Sequence, residues 1–203
     1  VNGILADLGM SSWQLEESKK GFSFLKDEFL DMRYDTNNTL TAFDMVNTYR
    51  QQEIEDILKN FGEEKYARQI AKHITTARGK KDITTTFDLV KVIEGSIPPA
   101  LRHGRIHYAT RIFQALRIAV NDELGALQRF LPLAVDALSP GGRLAIISFH
   151  SLEDRIVKLF FKEQEQQGKL AIVTKKPIEA LEAEVNKNPR ARSAKLRAAT
   201  KQS

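Results

Sequence analysis

Val1-Asn2-Gly3-Ile4-Leu5-Ala6-Asp7-Leu8-Gly9-Met10-Ser11-Ser12-Trp13-Gln14 is the stretch that decides the fold. Its apolar run, Val1 to Ala6, reads as a buried strand. The strand delivers an acid, a turn glycine and small polar residues to its carboxyl end. In open α/β sheets ligands bind at the carboxyl ends of the strands. The chain begins inside that strand, without an initiator Met and without a glycine-rich phosphate loop before it. It is therefore expected to be the back portion of a larger nucleotide-handling protein.

Downstream, residues 15–35 have no sustained period and read as an ordered loop tied down by Phe22, Phe24, Phe29 and Leu30. Residues 36–100 change character. Thr41 is a natural N-cap for a short helix over 42–48, and further helices are expected over 51–60, 63–78 and 86–96. Gly79 reads as the residue just past the third of these, and Pro98-Pro99 as the stop after the last. Helical pattern resumes over 108–120 and 121–138, with Pro132 expected to kink or break the second segment.

Residues 143–149 form a second apolar strand. Ser151-Leu152-Glu153-Asp154 reads as a capping box opening a helix to about Gln166. Strands follow at 170–174 and 193–199, the last pairing back on the one before. The order predicts an α/β protein with helices on a mostly parallel sheet. The expected domains are a partial α/β unit over 1–35 and 101–203 and an inserted all-α domain over 36–100.

The chain has 203 residues, 42% hydrophobic and 28% charged, enough apolar content for a core. No apolar run approaches the roughly 20 residues of a membrane span. With no Cys there is no thiolate metal site, no disulfide and no Cys nucleophile, which fits a cytoplasmic protein. The net charge of +5 favours a polyanionic partner. Basic residues cluster at Arg102, His103, Arg105, His107, Arg111 and Arg117, and again through Arg190, Arg192, Lys195 and Arg197. Either set is solvated surface or a phosphate-binding face.

Asp7, at a strand end, is placed to hydrogen-bond an amine or hydroxyl of a ligand, although Asp is also a common turn residue. Ser11-x-x-Gln14 is itself a capping box, so Gln14 has a structural use. His150 follows the second strand between Ser148 and Ser151, and is either a site residue or a turn histidine. His103 and His107 have helix-compatible metal spacing, but there is no H-E-x-x-H and no Cys, so no metal is expected. Neither G-x-G-x-x-G nor a Walker A pattern occurs.

Several longer strings are far more specific. Gly3 to Leu15, Gly21-Phe22-Ser23-Phe24, Leu30-Asp31-Met32-Arg33, Thr110 to Leu124 (TRIFQALRIAVNDEL), Gly141 to Lys158 (GGRLAIISFHSLEDRIVK) and Asn188 to Arg197 (NPRARSAKLR) together resemble the MraW family, the ribosomal RNA small-subunit methyltransferases H. The resemblance runs from residue 1 to about 200. It implies a bacterial cytoplasmic enzyme that uses S-adenosylmethionine to methylate the N4 amino group of a cytidine in 16S ribosomal RNA. It also implies a Rossmann-like methyltransferase core with an inserted helical domain for substrate recognition. In the family, the aspartate of the D-L-G motif and the glutamine seven residues later bind S-adenosylmethionine, and they match Asp7 and Gln14. The family usually has Pro where this chain has Trp13, whose indole then packs against the cofactor or fills space. The family's glycine-containing cofactor loop and ribose-holding acid would lie before Val1.

On that basis Asp7, His150 and Ser148 are candidate catalytic residues, and Asp7 and Gln14 candidate cofactor ligands. Arg102, Arg105, Arg111, Arg190, Arg192, Lys195 and Arg197 are candidate RNA contacts, with 16S ribosomal RNA or the small ribosomal subunit as partner. By itself the chain is expected to be inactive, to bind S-adenosylmethionine weakly or not at all, and to self-associate through an exposed sheet edge. The rival functions are a non-enzymatic RNA-binding or scaffold module and a methyltransferase acting on another nucleobase.

Overall fold

The chain was analysed as a computed structural model that describes residues 1–102, 104 and 106–203, leaving aside the side chain of residue 101. Two compact units emerge. One comprises Val1–Gly9 with Glu123–Ser203, and the other is the continuous segment Met10–Asp122.

The first unit is built on a five-stranded sheet: β1 (Gly3–Asp7), β2 (Arg143–Ser148), β3 (Leu170–Ile172), β4 (Ile178–Glu179) and β5 (Lys195–Lys201). The order is β1-β2-β5-β3, with β4 also pairing β5. Only β1 and β2 pair in parallel, Gly3 opposite Arg143 and Asp7 opposite Ile147. β5 runs antiparallel to β2, to β3 and to β4. The sheet is mixed rather than mostly parallel. β5 returns between β2 and β3 instead of adding to an edge, a long-range pairing that local pattern does not encode.

Strand β1 departs from expectation too. It is an edge strand, and its burial alternates between exposed and half-buried, with Leu5 67% exposed. β2 alternates as a strand with one dry face should, burying Leu144, Ile146 and Ser148. Onto that face pack α7 (Glu123–Ala137), through Leu127, Leu131 and Val135, and α8 (Ser151–Gln166), through Val157 and Phe161. Each such side chain removed from water contributes roughly 1.5–3 kcal/mol. Pro132 lies inside α7 without interrupting it. A short helix, α9 (Glu182–Lys187), and a 3₁₀ turn at Pro189–Ser193 lead into β5.

The second unit holds α1 (Ser12–Glu16), α2 (Ala42–Thr48), α3 (Gln51–Gly62), α4 (Ala67–Arg78), α5 (Thr86–Ser96) and α6 (Thr110–Asn121). Thr41 and Thr85 cap α2 and α5, each in a reciprocal box with Asp44 or Asp88, so both helices start where their side chains satisfy the first free N–H groups. Gly79 is the C-cap of α4 and stays in right-handed helical conformation, so no left-handed glycine ends that helix.

This unit extends beyond the expected 36–100 on both sides. The loop before α2 shares its core: Leu30 and Met32 are fully buried, and Phe22 nearly so, against Ile54, Leu58, Ile70 and Ile74. Ile112, Phe113 and Leu116 of α6 belong to the same cluster. The loop is further fixed by backbone bonds from Leu30 N–H to the Thr84 carbonyl and from Thr86 N–H to the Glu28 carbonyl. Gly21 (φ +73) packs so closely on Phe29 that a Cβ would stand 2.4 Å from its carbonyl oxygen. Phe29 itself is 45% exposed and stacks on Phe43, so it ties the loop down from outside the core.

Candidate functional site

The parallel pair β1–β2 presents two chain segments at the same end of the sheet, Asp7-Leu8-Gly9 and Ser148-Phe149-His150. Leu8 N–H still donates to the Ile147 carbonyl, at 3.0 Å, which holds the two segments together past the last strand residue. Gly9 then turns the chain at φ +90, where a side chain would be strained; a Cβ there would meet Phe149 at 3.8 Å.

Asp7 is exposed, and its carboxylate has no hydrogen-bond or ion-pair partner among the described residues. An ionised carboxylate offers two acceptor oxygens, with about four lone-pair sites. Here all of them face outward at a strand's carboxyl end, where ligands bind in open α/β sheets.

Gln14 lies in α1 and forms the expected capping box. Its Oε1 accepts from Ser11 N–H at 2.7 Å, and its own N–H donates to Ser11 Oγ at 3.3 Å. The cap uses the amide oxygen and leaves the NH₂ group to donate elsewhere. Trp13 is 60% exposed, so the indole does not fill space in the helical unit.

His150 and Ser148 are absorbed by the structure. Ser148 is 2% exposed and its hydroxyl donates to the Lys195 carbonyl across the β2–β5 pair, at 3.4 Å. It does not face a ligand. His150 is the N-cap of α8, with Nδ1 accepting from Glu153 N–H at 3.4 Å while Glu153 Oε2 accepts from Phe149 N–H at 2.9 Å. The capping box is therefore His150/Glu153, one residue earlier than Ser151/Asp154. That shift frees Asp154, which forms a two-pronged ion pair with Arg197 at 2.7 and 3.1 Å.

Glu123, His150 and Glu153 each bring a possible ligand atom within 4.8 Å of the others. His150 Nδ1 is engaged in the cap, while Nε2, buried and 3.3 Å from Glu153 Oε1, has no hydrogen-bond partner among the described residues. His150 and Glu153 together form the start of α8. Glu153, 3% exposed, is the residue that sequence reasoning passed over here; an acid three residues after a polar strand end is the signal that marks it.

The expected RNA contacts divide. Arg197 is 7% exposed and committed to Asp154, so it is structural: its place on β5 turns it onto the helix start. Arg102 pairs with Glu94 at 3.4 Å and is half-buried. Arg111 is exposed, and its guanidinium reaches the Glu63 carbonyl at 3.5 Å. Arg190 and Arg192 are exposed in the 3₁₀ turn, and Lys195 is half-buried at the start of β5. Arg105 and His103 lie outside the described residues.

A mixed sheet with a reversed strand between two parallel ones, an unpartnered acid at a strand's carboxyl end and a large helical insertion together define the Rossmann-like methyltransferase class. Comparison with known proteins places the chain more closely. It belongs to the MraW methylase family, whose model matches residues 1–202. A protein of a Sulfurihydrogenibium species, named ribosomal RNA small subunit methyltransferase H, is 52% identical over 197 residues, covering 97% of this chain and 67% of that protein. Proteins of the same name from Acaryochloris marina and Nostoc punctiforme are 53% and 52% identical, over 97% and 98% of this chain and 64% and 65% of their own lengths. The chain thus spans about two thirds of the length of these relatives. No described helix is long and apolar enough to cross a membrane.

Proposed function

We propose that the full-length protein to which this chain belongs transfers a methyl group from S-adenosylmethionine to the N4 amino group of a cytidine in 16S ribosomal RNA, with the cytoplasmic small ribosomal subunit as partner, this chain being inactive by itself. The observation that carries the reading is the outward, unpartnered carboxylate of Asp7 at the carboxyl end of β1, in a chain that belongs to this family. Family membership also favours an enzyme over a scaffold.

The residues present suit the cofactor. Asp7 supplies a carboxylate for an amine or hydroxyl, and Gln14 an NH₂ group for a carboxylate, its oxygen being held in the cap. Bound S-adenosylmethionine supplies an already activated methyl group, so no metal is needed. The chain's task is position and electrostatics. The cytidine amino lone pair is delocalised into the ring. A hydrogen-bond acceptor on its N–H favours the nucleophilic form and takes up charge as the N–C bond forms. Asp7 would be that acceptor: its carboxylate would take the hydrogen bond from the target N–H, and as the N–C bond forms and the S–CH₃ bond breaks to leave S-adenosylhomocysteine, the proton lost from nitrogen would pass to that carboxylate and then to water. A base in structured RNA is splayed out to reach such a site, and Arg111, Arg190 and Arg192 are the exposed expected cations available for its phosphates.

The test is methylation of small-subunit RNA with isotopically labelled S-adenosylmethionine, followed by digestion and identification of the modified nucleoside. N4-methylcytidine in the product of the full-length protein supports the proposal. Label in another base supports the rival substrate, and absence of transfer by the full-length protein ends the enzymatic reading.

A further inference from the structure

The helical unit carries a cleft of about 600 Å³ that neither the cofactor nor the expected RNA contacts use. Its lining is Gln51, at the first turn of α3, with Lys65, Tyr66, Arg68, Gln69 and Lys72 from the start and middle of α4. Three of the six are cations and none is an acid. Lys65, Arg68, Gln69 and Lys72 are exposed, and none of the three cations has an ion-pair or hydrogen-bond partner among the described residues. In the same unit Arg33 is held by Asp31, Arg50 by Glu53 and Arg78 by the Val46 and Tyr49 carbonyls, while the exposed Lys59, Lys80, Lys81 and Lys91 lie outside the cleft.

The local sequence sets these three cations against Glu63 and Glu64, which precede Lys65, and so keeps a net positive charge. Arg68 and Lys72 are four residues apart and share a face of α4, separated by about 6 Å along the axis. The first turn of α4 contains no acid, although the Glu64 carboxylate just before it accepts from Tyr66 N–H at 2.9 Å. The two glutamines and the Tyr66 phenol bring neutral donors to the same wall.

We infer that this cleft binds backbone phosphates of the RNA substrate, as a second grip set on the helical unit. The inference rests on the proposed function for the identity of the polyanion. A run of spaced, unpaired cations suits a phosphodiester chain, whose charges repeat. Neutralising phosphates releases condensed counterions, so each contact contributes to affinity and to its salt dependence.

The experiment compares the protein with its Lys65→Ala/Arg68→Ala/Lys72→Ala variant in binding a small-subunit ribosomal RNA transcript, across a series of salt concentrations. The exposed, unpaired side chains make the variant's thermal stability a simple check on folding. The expected result is an affinity loss of about 10- to 100-fold near physiological salt, and a log–log salt slope shallower by about 2–3. S-adenosylmethionine affinity stays unchanged.

Unaltered RNA affinity and slope in the variant overturn the inference and leave methyl transfer untouched, so the two readings fail separately. A protein that binds no RNA at all overturns the inference outright. Loss of binding to whole small subunits with full retention of naked RNA overturns it in favour of an acidic protein surface as occupant. Inorganic phosphate binding that the variant abolishes, with RNA affinity intact, makes the cleft a small-anion site and overturns it as well.

Discussion

Asp7 and His150 occupy matching places, each following the end of one strand of a parallel pair, and they meet opposite fates. Asp7 is exposed and unpartnered; His150 is 10% exposed in its side chain and caps the helix that follows. The difference lies in what comes next along the chain. After β2 a sixteen-residue helix starts at once, and its free N–H groups recruit His150 and Glu153. After Asp7 the chain passes through Leu8 and Gly9, and the next cap is made by Ser11 and Gln14. A polar residue at a strand end is available to a ligand only when the following helix has another cap.

Substitutions at Asp7, Asp154 and His150 put that comparison at risk. The largest effect is expected for Asp7→Ala: transfer activity falls by about 1000-fold, near 4 kcal/mol in transition-state stabilisation, with the melting temperature unchanged. A normal rate and normal cofactor affinity would remove Asp7 from the site. Next comes Asp154→Ala, which strands a buried guanidinium and is expected to cost about 3 kcal/mol in denaturant unfolding, whereas exposed Arg192→Ala costs almost nothing. His150→Ala loses a cap, about 1 kcal/mol, and His150→Ser restores it with transfer activity intact. Loss of activity in a stable His150→Ser protein would break the comparison, because His150 would then act on the ligand.

The smallest effect concerns Asp31, outside the strand ends altogether. Burial pushes its carboxyl up, but hydrogen bonds and the charge of Arg33 outweigh that and hold it below the usual value of 3.8. Its contribution is therefore complete above that ordinary value and is lost as pH falls through the lowered one. An Asp31→Asn variant is expected to show a shallower loss of stability below about pH 4 than the parent, followed by acid titration of the unfolding midpoint.

Local signals were legible where a side chain terminates an element. α2 and α5 begin and end where the sequence places them, because Thr41-x-x-Asp44 and the residues around Thr86 satisfy helix ends by themselves. The start of α8 was also right, but its cap was misassigned by one residue, since His accepts at Nδ1 and Ser151 is the commoner cap type. Asp7 was identified as a strand-end acid, and its freedom from partners was not, because that depends on everything that fails to reach it. The burial of Arg197 was hidden for a related reason. A basic tail looks like solvated surface until β5 is placed between β2 and β3, and that pairing is long-range. The Lys65, Arg68 and Lys72 cations were legible in principle, as basic residues within eight positions of one another at the start of a helix.

One feature of the fold also fixes an order of events. The helical unit is a single continuous segment, while the sheet unit needs Val1–Gly9 to find partners beyond Glu123, Gly3 pairing with Arg143 and Asp7 with Ile147. Closing so long a loop through unstructured chain is entropically unfavourable, each doubling of its length adding about 0.6 kcal/mol. Within Met10–Asp122 the pairs α3–α4 and α4–α5 join neighbours in sequence, and α3–α6 spans a shorter loop than β1–β2 does. Once they have formed, the span between β1 and β2 is no longer a free coil, and the closure entropy falls. Early folding of the helical segment would then favour β1–β2 pairing, and Leu58→Ala is expected to slow refolding of the sheet unit in stopped-flow measurements.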